Sequence, residues 1–331
     1  MDFKKRIACI QKKISDSKRE AILILGSKDA ITILLLTKDK IFSFVDGRYY
    51  EKAKESSFFC EVVLFQNLMP VLKKVLSEAK IKTVYFEPDD VSFSFYSLLK
   101  KEIKNTEFLP TKKSVVRELR MVKDSEEIDI IKKAVKISKD IYSNFSKKHF
   151  KVGVTEKKLA AHLEFMIKSK TDGISFDTIV ASGKNSSLPH AVPSSKKLSY
   201  NETVIIDYGV KWKGYCTDHT TTTIIGDTKL NDYYSLVKGA IKVGLEVVKP
   251  NNEINAVDKK IRDFFDKKGV LKYFLHSSGH SIGLNVHEKP TLSYKEKGVF
   301  KKGMVFTIEP GLYFEGIGGI RLEEMFLVTD D

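Results

Sequence analysis

Cysteine is scarce: Cys9, Cys60 and Cys216 are the only three in 331 residues, an odd number at wide spacings that fits neither a disulfide framework nor a thiolate metal site. They read as free thiols. No long hydrophobic run occurs either. The longest, Ile31 to Leu36 broken by Thr32, is separated from Ala21 to Leu25 by polar Gly26 to Asp29, far short of the roughly 20 apolar residues that span a bilayer. Lys4, Lys5 and Arg6 are followed by Gln11, Lys12, Lys13, Asp16 and Lys18, where a secretory signal needs an apolar stretch. A cytoplasmic protein without membrane contact is therefore expected. Two common active-site signatures are missing as well. There is no Gly-x-Ser-x-Gly nucleophile turn, and Gly183-Lys184 fails as a phosphate loop because Asn185 follows and Thr178 occupies the first glycine position.

What is abundant is lysine. A net charge of +14 would suit a phosphate backbone. The lysines, however, are scattered as pairs along the whole chain, at 12–13, 73–74, 147–148, 267–268 and 301–302. A solvated basic surface accounts for that pattern, and no nucleic-acid partner is expected.

The length suits two domains at about 150 residues each. Residues 1–112 alternate helical and strand patterns, as an α/β (α+β) unit does: a basic helix near 3–19, strands at Ala21 to Leu25, Ile31 to Leu36 and Ile41 to Val45, a turn at Asp46-Gly47-Arg48, a helix near 68–79, the strand Thr83 to Phe86 and a helix near 91–104. Leu109-Pro110-Thr111 marks the boundary. In residues 113–331, Asp124 with Glu126 and Glu127 predicts a helix start. Ile128, Ile131, Val135, Ile141 and Phe145 then predict its buried stripe, ending near 148. Helices near 155–169 and 231–249 follow, with strands at Thr203 to Val210, Thr217 to Ile225, Val305 to Pro310 and Ile320 to Val328.

Five residues in these strands and loops could carry chemistry. Asp207 follows four strand-forming residues, and a lone buried carboxylate is costly unless a cation meets it. A turn-stabilising aspartate at an edge strand is the plain alternative. Asp218 lies across the Gly214 turn. His280 is flanked by glycines that let backbone and an ion approach, and His276 and His287 fall close by; each histidine alone would more often be structural. Glu309 ends an apolar strand before Pro310-Gly311. Glu323 shares a strand face with Arg321, with Glu324 opposite, and a strand salt bridge would explain that pair equally. Four carboxylates balance two divalent cations, and an oxygen set with one histidine and no thiolate suits manganese, with zinc or cobalt as alternatives. Two such ions sharing a water would give peptide hydrolysis chemistry.

At these residues the sequence resembles the pita-bread metallopeptidases, the family of methionine aminopeptidase, Xaa-Pro aminopeptidase, prolidase and creatinase. The blocks Ile179 to His190, Ile206-Asp207-Tyr208-Gly209, Thr217-Asp218, Gly279 to Glu288, Thr307 to Gly311 and Arg321 to Glu324 occur in the family's order. Residues 1–112, with Val45 to Tyr49, resemble the amino-terminal domain of the proline-directed members. The resemblance implies a creatinase-type α/β domain followed by a pita-bread catalytic domain. It implies two divalent ions held by Asp207, Asp218, His280, Glu309 and Glu323, with Asp218 and Glu323 bridging. It further implies that His190 lies over a proline-containing peptide, that His287 stabilises its carbonyl, that His276 lines the pocket, that Glu309 shuttles a proton, and that Arg321 holds substrate or neighbouring acids. The expected activity is an Xaa-Pro aminopeptidase acting as a homodimer. The alternatives are an Xaa-Pro dipeptidase (prolidase) and a binding module without catalysis.

Two departures from the family pattern stand out. His219 and Thr220 to Thr223 leave no arginine after Asp218, and the chain stops shortly after Val328, so a pocket wall is expected to be open or supplied by another subunit. His219 is expected to be structural.

Overall fold

The computed structural model describes residues 3–16, 20–25, 32–56, 59–112 and 114–330. Two compact units result, Met1–Leu119 and Arg120–Asp331. Among the described residues no helix is long and apolar enough to cross a membrane.

The first unit contains α1 (Phe3–Asp16), β1 (Ala21–Leu25), β2 (Thr32–Thr37), β3 (Ile41–Asp46), α2 (Tyr50–Ser56), β4 (Glu61–Phe65), α3 (Leu68–Glu78), β5 (Thr83–Phe86), α4 (Phe93–Glu102) and β6 (Glu107–Pro110). The strands form one six-stranded sheet in the order β4-β3-β2-β1-β5-β6. Its centre is antiparallel, and the outer pairs run parallel. Both faces are covered, which explains the unbroken apolar run of β1. Ala21 and Leu23 face Leu72, Leu76 and Leu99, whereas Ile22 turns to Ile14, Leu36 and Val115 on the other side. The sheet edges β4 and β6 were not expected from sequence; each is partly exposed and lacks a clean apolar pattern. Residues 17–19 of the expected basic helix, Ile31 of the expected second strand, and Gly26 to Asp29 lie outside the described residues.

The second unit follows α5 (Val115–Met121), which runs through the division. It contains α6 (Ser125–His149), α7 (Glu156–Lys168), β7 (Gly173–Ile174), β8 (Ile179–Ser182), β9 (Glu202–Tyr208), β10 (Val210–Trp212), β11 (Tyr215–Cys216), β12 (His219–Ile225), α8 (Asn231–Leu245), α9 (Asn255–Lys267), β13 (Gly279–Ser281), β14 (Glu288–Leu292), β15 (Val305–Ile308), β16 (Gly311–Phe314), β17 (Gly318–Arg321) and β18 (Glu324–Leu327). A helix pair packed on antiparallel strands occurs twice. Ala134, Ile141 and Phe145 of α6 meet Leu159, Leu163 and Ile167 of α7 over Val180, Val204 and Ile206. Val237 and Ala240 of α8 meet Val257, Ile261 and Phe265 of α9 over Leu292, Phe306 and Ile308. The Asp124 side chain caps α6 in a reciprocal capping box with Glu127, as its sequence predicts.

Several expected strands are broken. The run at Thr203 to Val210 stops at Tyr208, because Gly209 approaches its neighbour so closely that a Cβ there would lie 2.0 Å from the Thr217 carbonyl oxygen. The run from Thr217 begins at His219, and the one from Val305 ends at Ile308. Ile320 to Val328 divides into β17, paired with β16, and β18, paired with β15. Helix α8 ends at Leu245 rather than near 249, and α9 was not anticipated.

Candidate metal centre

The strand breaks place the acids. Asp207 sits near the end of β9, whose covered faces bury it. Asp218 lies between β11 and β12, Glu309 directly after β15, and Glu323 between β17 and β18, each where the backbone ladder lapses and a side chain can turn inward. His280 is the middle residue of β13, which approaches β15 through Gly279; a Cβ at that glycine would lie 2.1 Å from the Thr307 carbonyl oxygen. Backbone groups help to join the paired halves of the unit at this level. The Glu323 amide donates to the Thr220 carbonyl at 3.0 Å, and the Thr222 hydroxyl donates to the Arg321 carbonyl at 2.7 Å.

The five residues converge. His280 Nε2 is 3.6 Å from Asp218 Oδ2 and 3.5 Å from Glu309 Oε1. Its Nδ1 faces the Ser281 carbonyl at 3.1 Å, and a carbonyl only accepts, so the proton lies on Nδ1 and the Nε2 lone pair faces the acids. Burial pushes the imidazole down to about 4, keeping it neutral near pH 7. Three sets bring ligand atoms within 4.8 Å of one another: Asp218, His280 and His287; His280, Glu309 and Glu323; and Asp207, Asp218 and Glu323. Asp218, His280 and Glu323 each belong to two sets, an overlap suited to neighbouring cations. Oδ1 of Asp207, Oδ1 of Asp218 and Oε1 of Glu323 are buried without a hydrogen-bond donor. Burial, then the charge of neighbouring acids, raises Asp218 and Glu323 well above the usual carboxylate range, and burial pushes Glu309 up to about 8. Such a group of acids lacks positive charge, and this donor set fits divalent cations.

Arg321 supplies part of that charge. Buried, it donates to Asp207 Oδ2 at 2.7 Å, Thr220 Oγ1 at 3.1 Å, the Tyr313 hydroxyl at 2.9 Å and the Pro189 carbonyl at 3.0 Å. Of the two roles expected for it, the structure displays the contact with a neighbouring acid. Thr220 relays this order by donating to Glu323 Oε2 at 2.8 Å. Burial pushes Tyr313 up to about 12, so its phenol keeps its proton and donates a hydrogen bond to His276 Nε2 at 2.9 Å, while His276 Nδ1 donates to the Ser277 carbonyl at 2.8 Å. Sequence reasoning missed Thr220 and Tyr313, because nothing in their neighbourhoods distinguishes them from other strand residues.

The remaining histidines differ. His287 is exposed and meets His280 edge-on, with ring centroids 4.4 Å apart. His190 is exposed, and burial, with a smaller contribution from nearby His190, lowers both His276 and His287. His219 is buried against Tyr208, 5.9 Å between centroids, and its ring nitrogens have no hydrogen bond. Two further acids brace this region; Asp258 went unnoticed in the sequence, and Glu288 closes the Gly279 to Glu288 block. Asp258 of α9 accepts from Ser278 Oγ at 2.6 Å and Arg262 Nε at 2.9 Å, and Arg262 donates onward to the His276 carbonyl at 2.8 Å. Glu288 accepts from the Asn285 amide at 3.1 Å and from Arg120, holding the tight turn that carries His287.

Residues 129–330 match metallopeptidase family M24, and residues 6–122 match the creatinase/prolidase N-terminal domain. A Xaa-Pro dipeptidase of Pyrococcus furiosus is 33% identical over 303 residues, covering 90% of this chain and 84% of its own. Among solved structures, a Xaa-Pro dipeptidase from Bacillus anthracis superimposes with a TM-score of 0.92 at 33% identity, covering 98% of this chain and 95% of that one. An X-Pro aminopeptidase from Thermotoga maritima does so with a TM-score of 0.89 at 33% identity, covering 96% and 93%.

Proposed function

Since this chain belongs to metallopeptidase family M24, with a creatinase/prolidase-type domain ahead of the catalytic one, we propose that it is an Xaa-Pro aminopeptidase, releasing the amino-terminal residue that precedes proline. The observation that carries the metal-dependent part is the trio of buried carboxylate oxygens on Asp207, Asp218 and Glu323 that lack any donor. In this reading Asp207, Asp218, His280, Glu309 and Glu323 hold two divalent ions, manganese ahead of zinc or cobalt. When bound, such a pair acidifies a shared water and polarises the scissile carbonyl. Glu309, beside the ions, would take the proton released by the attacking water and pass it to the departing prolyl nitrogen. His287 and His190 orient the carbonyl, and the Arg321, Tyr313 and His276 chain keeps the acids and the pocket wall in register. The same reading assigns a cytoplasmic homodimer, whose assembly sedimentation of the purified chain would test.

Aminopeptidase is put ahead of dipeptidase by the resemblance of the sequence, and Arg321 does not decide between them, although it is not a cation free for a substrate's carboxylate. It is the one Lys or Arg that the described residues place in an ion pair with these acids, and Asp207, Thr220, Tyr313 and Pro189 already engage its guanidinium. A dipeptide's free prolyl carboxylate would need a cation to itself. With manganese supplied, Xaa-Pro-Xaa tripeptides are expected to be cleaved faster than Xaa-Pro dipeptides. Exclusive turnover of dipeptides would assign prolidase instead, and inactivity on both would overturn the proposal.

Metal binding is expected to release protons. Burial pushes Glu309 up to about 8 and raises Asp218 and Glu323 in the same sense, so below about pH 8 the metal-free chain holds protons that a cation displaces. Affinity should fall as the pH falls. Calorimetric titration near pH 6.5 in buffers of different ionisation enthalpy should count about one proton or more per chain. A heat independent of the buffer would contradict this.

A further inference from the structure

One buried carboxylate has no part in the chemistry above. Glu156, the first residue of α7, is fully buried and takes hydrogen bonds from both ends of a single loop. Its Oε1 accepts from the Ser182 amide at 2.7 Å and the Ser182 hydroxyl at 2.8 Å. Its Oε2 accepts from the Ser194 amide at 3.0 Å and the Ser194 hydroxyl at 2.6 Å. Asn185 Nδ2 spans the two oxygens at 3.2 and 3.1 Å. Burial alone would raise this carboxyl, but the bonds from Ser194 and Ser182 outweigh it and hold Glu156 below the usual range.

Between those serines the chain carries Pro189, whose carbonyl accepts from Arg321, and His190. We propose that Glu156 is a positioning residue that closes the base of the 183–193 loop and so sets His190 over the bound peptide. This rests on the reading of the site given above. The donors explain why a carboxylate is required. Two are backbone amides, which cannot reverse their polarity, whereas hydroxyls can rotate. Glutamine would turn one of its two ends into a donor facing an amide N–H, releasing either the entry or the exit of the loop.

Glu156→Gln, made in the full chain and loaded with manganese, is expected to bind metal as the parent does. Hydrogen–deuterium exchange in residues 183–194 should rise by roughly tenfold, and KM for an Xaa-Pro-Xaa peptide should rise by about as much, the usual scale for a residue acting through another. If the effect travels through His190, Glu156→Gln combined with His190→Ala should be no slower than His190→Ala alone. Multiplying losses in the double variant, or unchanged exchange in the loop, would overturn the assignment. Should Glu156→Gln fail to fold, Ser194→Ala, which keeps the carboxylate and the residue-194 amide bond and removes only the hydroxyl bond at the exit, carries the same test with a smaller rise in exchange. Inactivity of the parent on every proline peptide would refute the peptidase reading, while the exchange measurement would still decide the clamp.

Discussion

Asp218→Ala is expected to fold normally, to lose metal binding, and to turn over at least about a thousandfold more slowly, beyond the 10–100-fold that residues outside a metal's ligand set usually cost. Asp218 belongs to two of the overlapping ligand sets, and its buried Oδ1 has no donor. In the metal-free chain burial, and then the charges of Glu323, Asp207 and Glu309 around it, disfavour its ionisation. Removing it relieves that repulsion, so the metal-free variant should melt at or above the parent's temperature. The difference appears once manganese is added. An ion at a thousand times its Kd stabilises a native chain by about 4 kcal/mol, and a unit of this size shifts Tm by roughly 2–4 °C per kcal/mol. The parent should therefore gain on the order of 10 °C and the variant little. Near-parental turnover, or an undiminished shift in melting, would refute the role given to Asp218.

Arg321→Met should produce the largest loss of stability. The guanidinium is buried and bonded to Asp207 Oδ2 at 2.7 Å. Removing one partner of a buried ion pair typically costs about 3–5 kcal/mol, because the other charge is left without compensation. Pairing Arg321→Met with Asp207→Asn should recover much of that cost in the metal-free chain, since both charges then disappear. Manganese should stabilise Arg321→Met more than it stabilises the parent, because Asp207 gains a replacement cation. Urea unfolding of the three chains, with and without metal, measures each comparison. A single variant as stable as the parent would show that the pair contributes nothing.

How much of this was visible in the sequence depended on how local each signal was. The Asp124 cap, Ile131, Ile141 and Phe145 of the α6 stripe, and the apolar strands β1 and β9 were legible because propensity, periodicity and burial agree there, whereas Ile128 and Val135 are only half-buried and Ala134 and Ser138 are buried beside them. Helix α9 was missed because Lys259, Lys260, Arg262 and Asp263 surround its buried Val257, Ile261 and Phe265, so the run looks polar when read linearly. The continuous strand expected from Ile320 to Val328 failed at Leu322-Glu323, where the chain leaves one sheet for another, a change dictated by distant partners. Asp207 and Glu309 could be suspected from sequence, since each follows an apolar run, and Glu288 closes a legible block, but the buried roles of Glu156 and Asp258 could not, because each sits among ordinary helix residues and its burial depends on segments elsewhere in the chain.

The acids come from opposite sides of a repeated architecture. Asp207 and Asp218 belong to the α6–α7 half, and His280, Glu309 and Glu323 to the α8–α9 half. A cation seated among Asp207, Asp218 and Glu323 therefore ties together stretches that no sulfur bond joins, in a chain whose cysteines are all free. Stripping it with a chelator would act on this protein much as a reductant acts on a cystine-bridged one, unfastening the halves without touching the polypeptide, and the fastening would re-form when the ion returned.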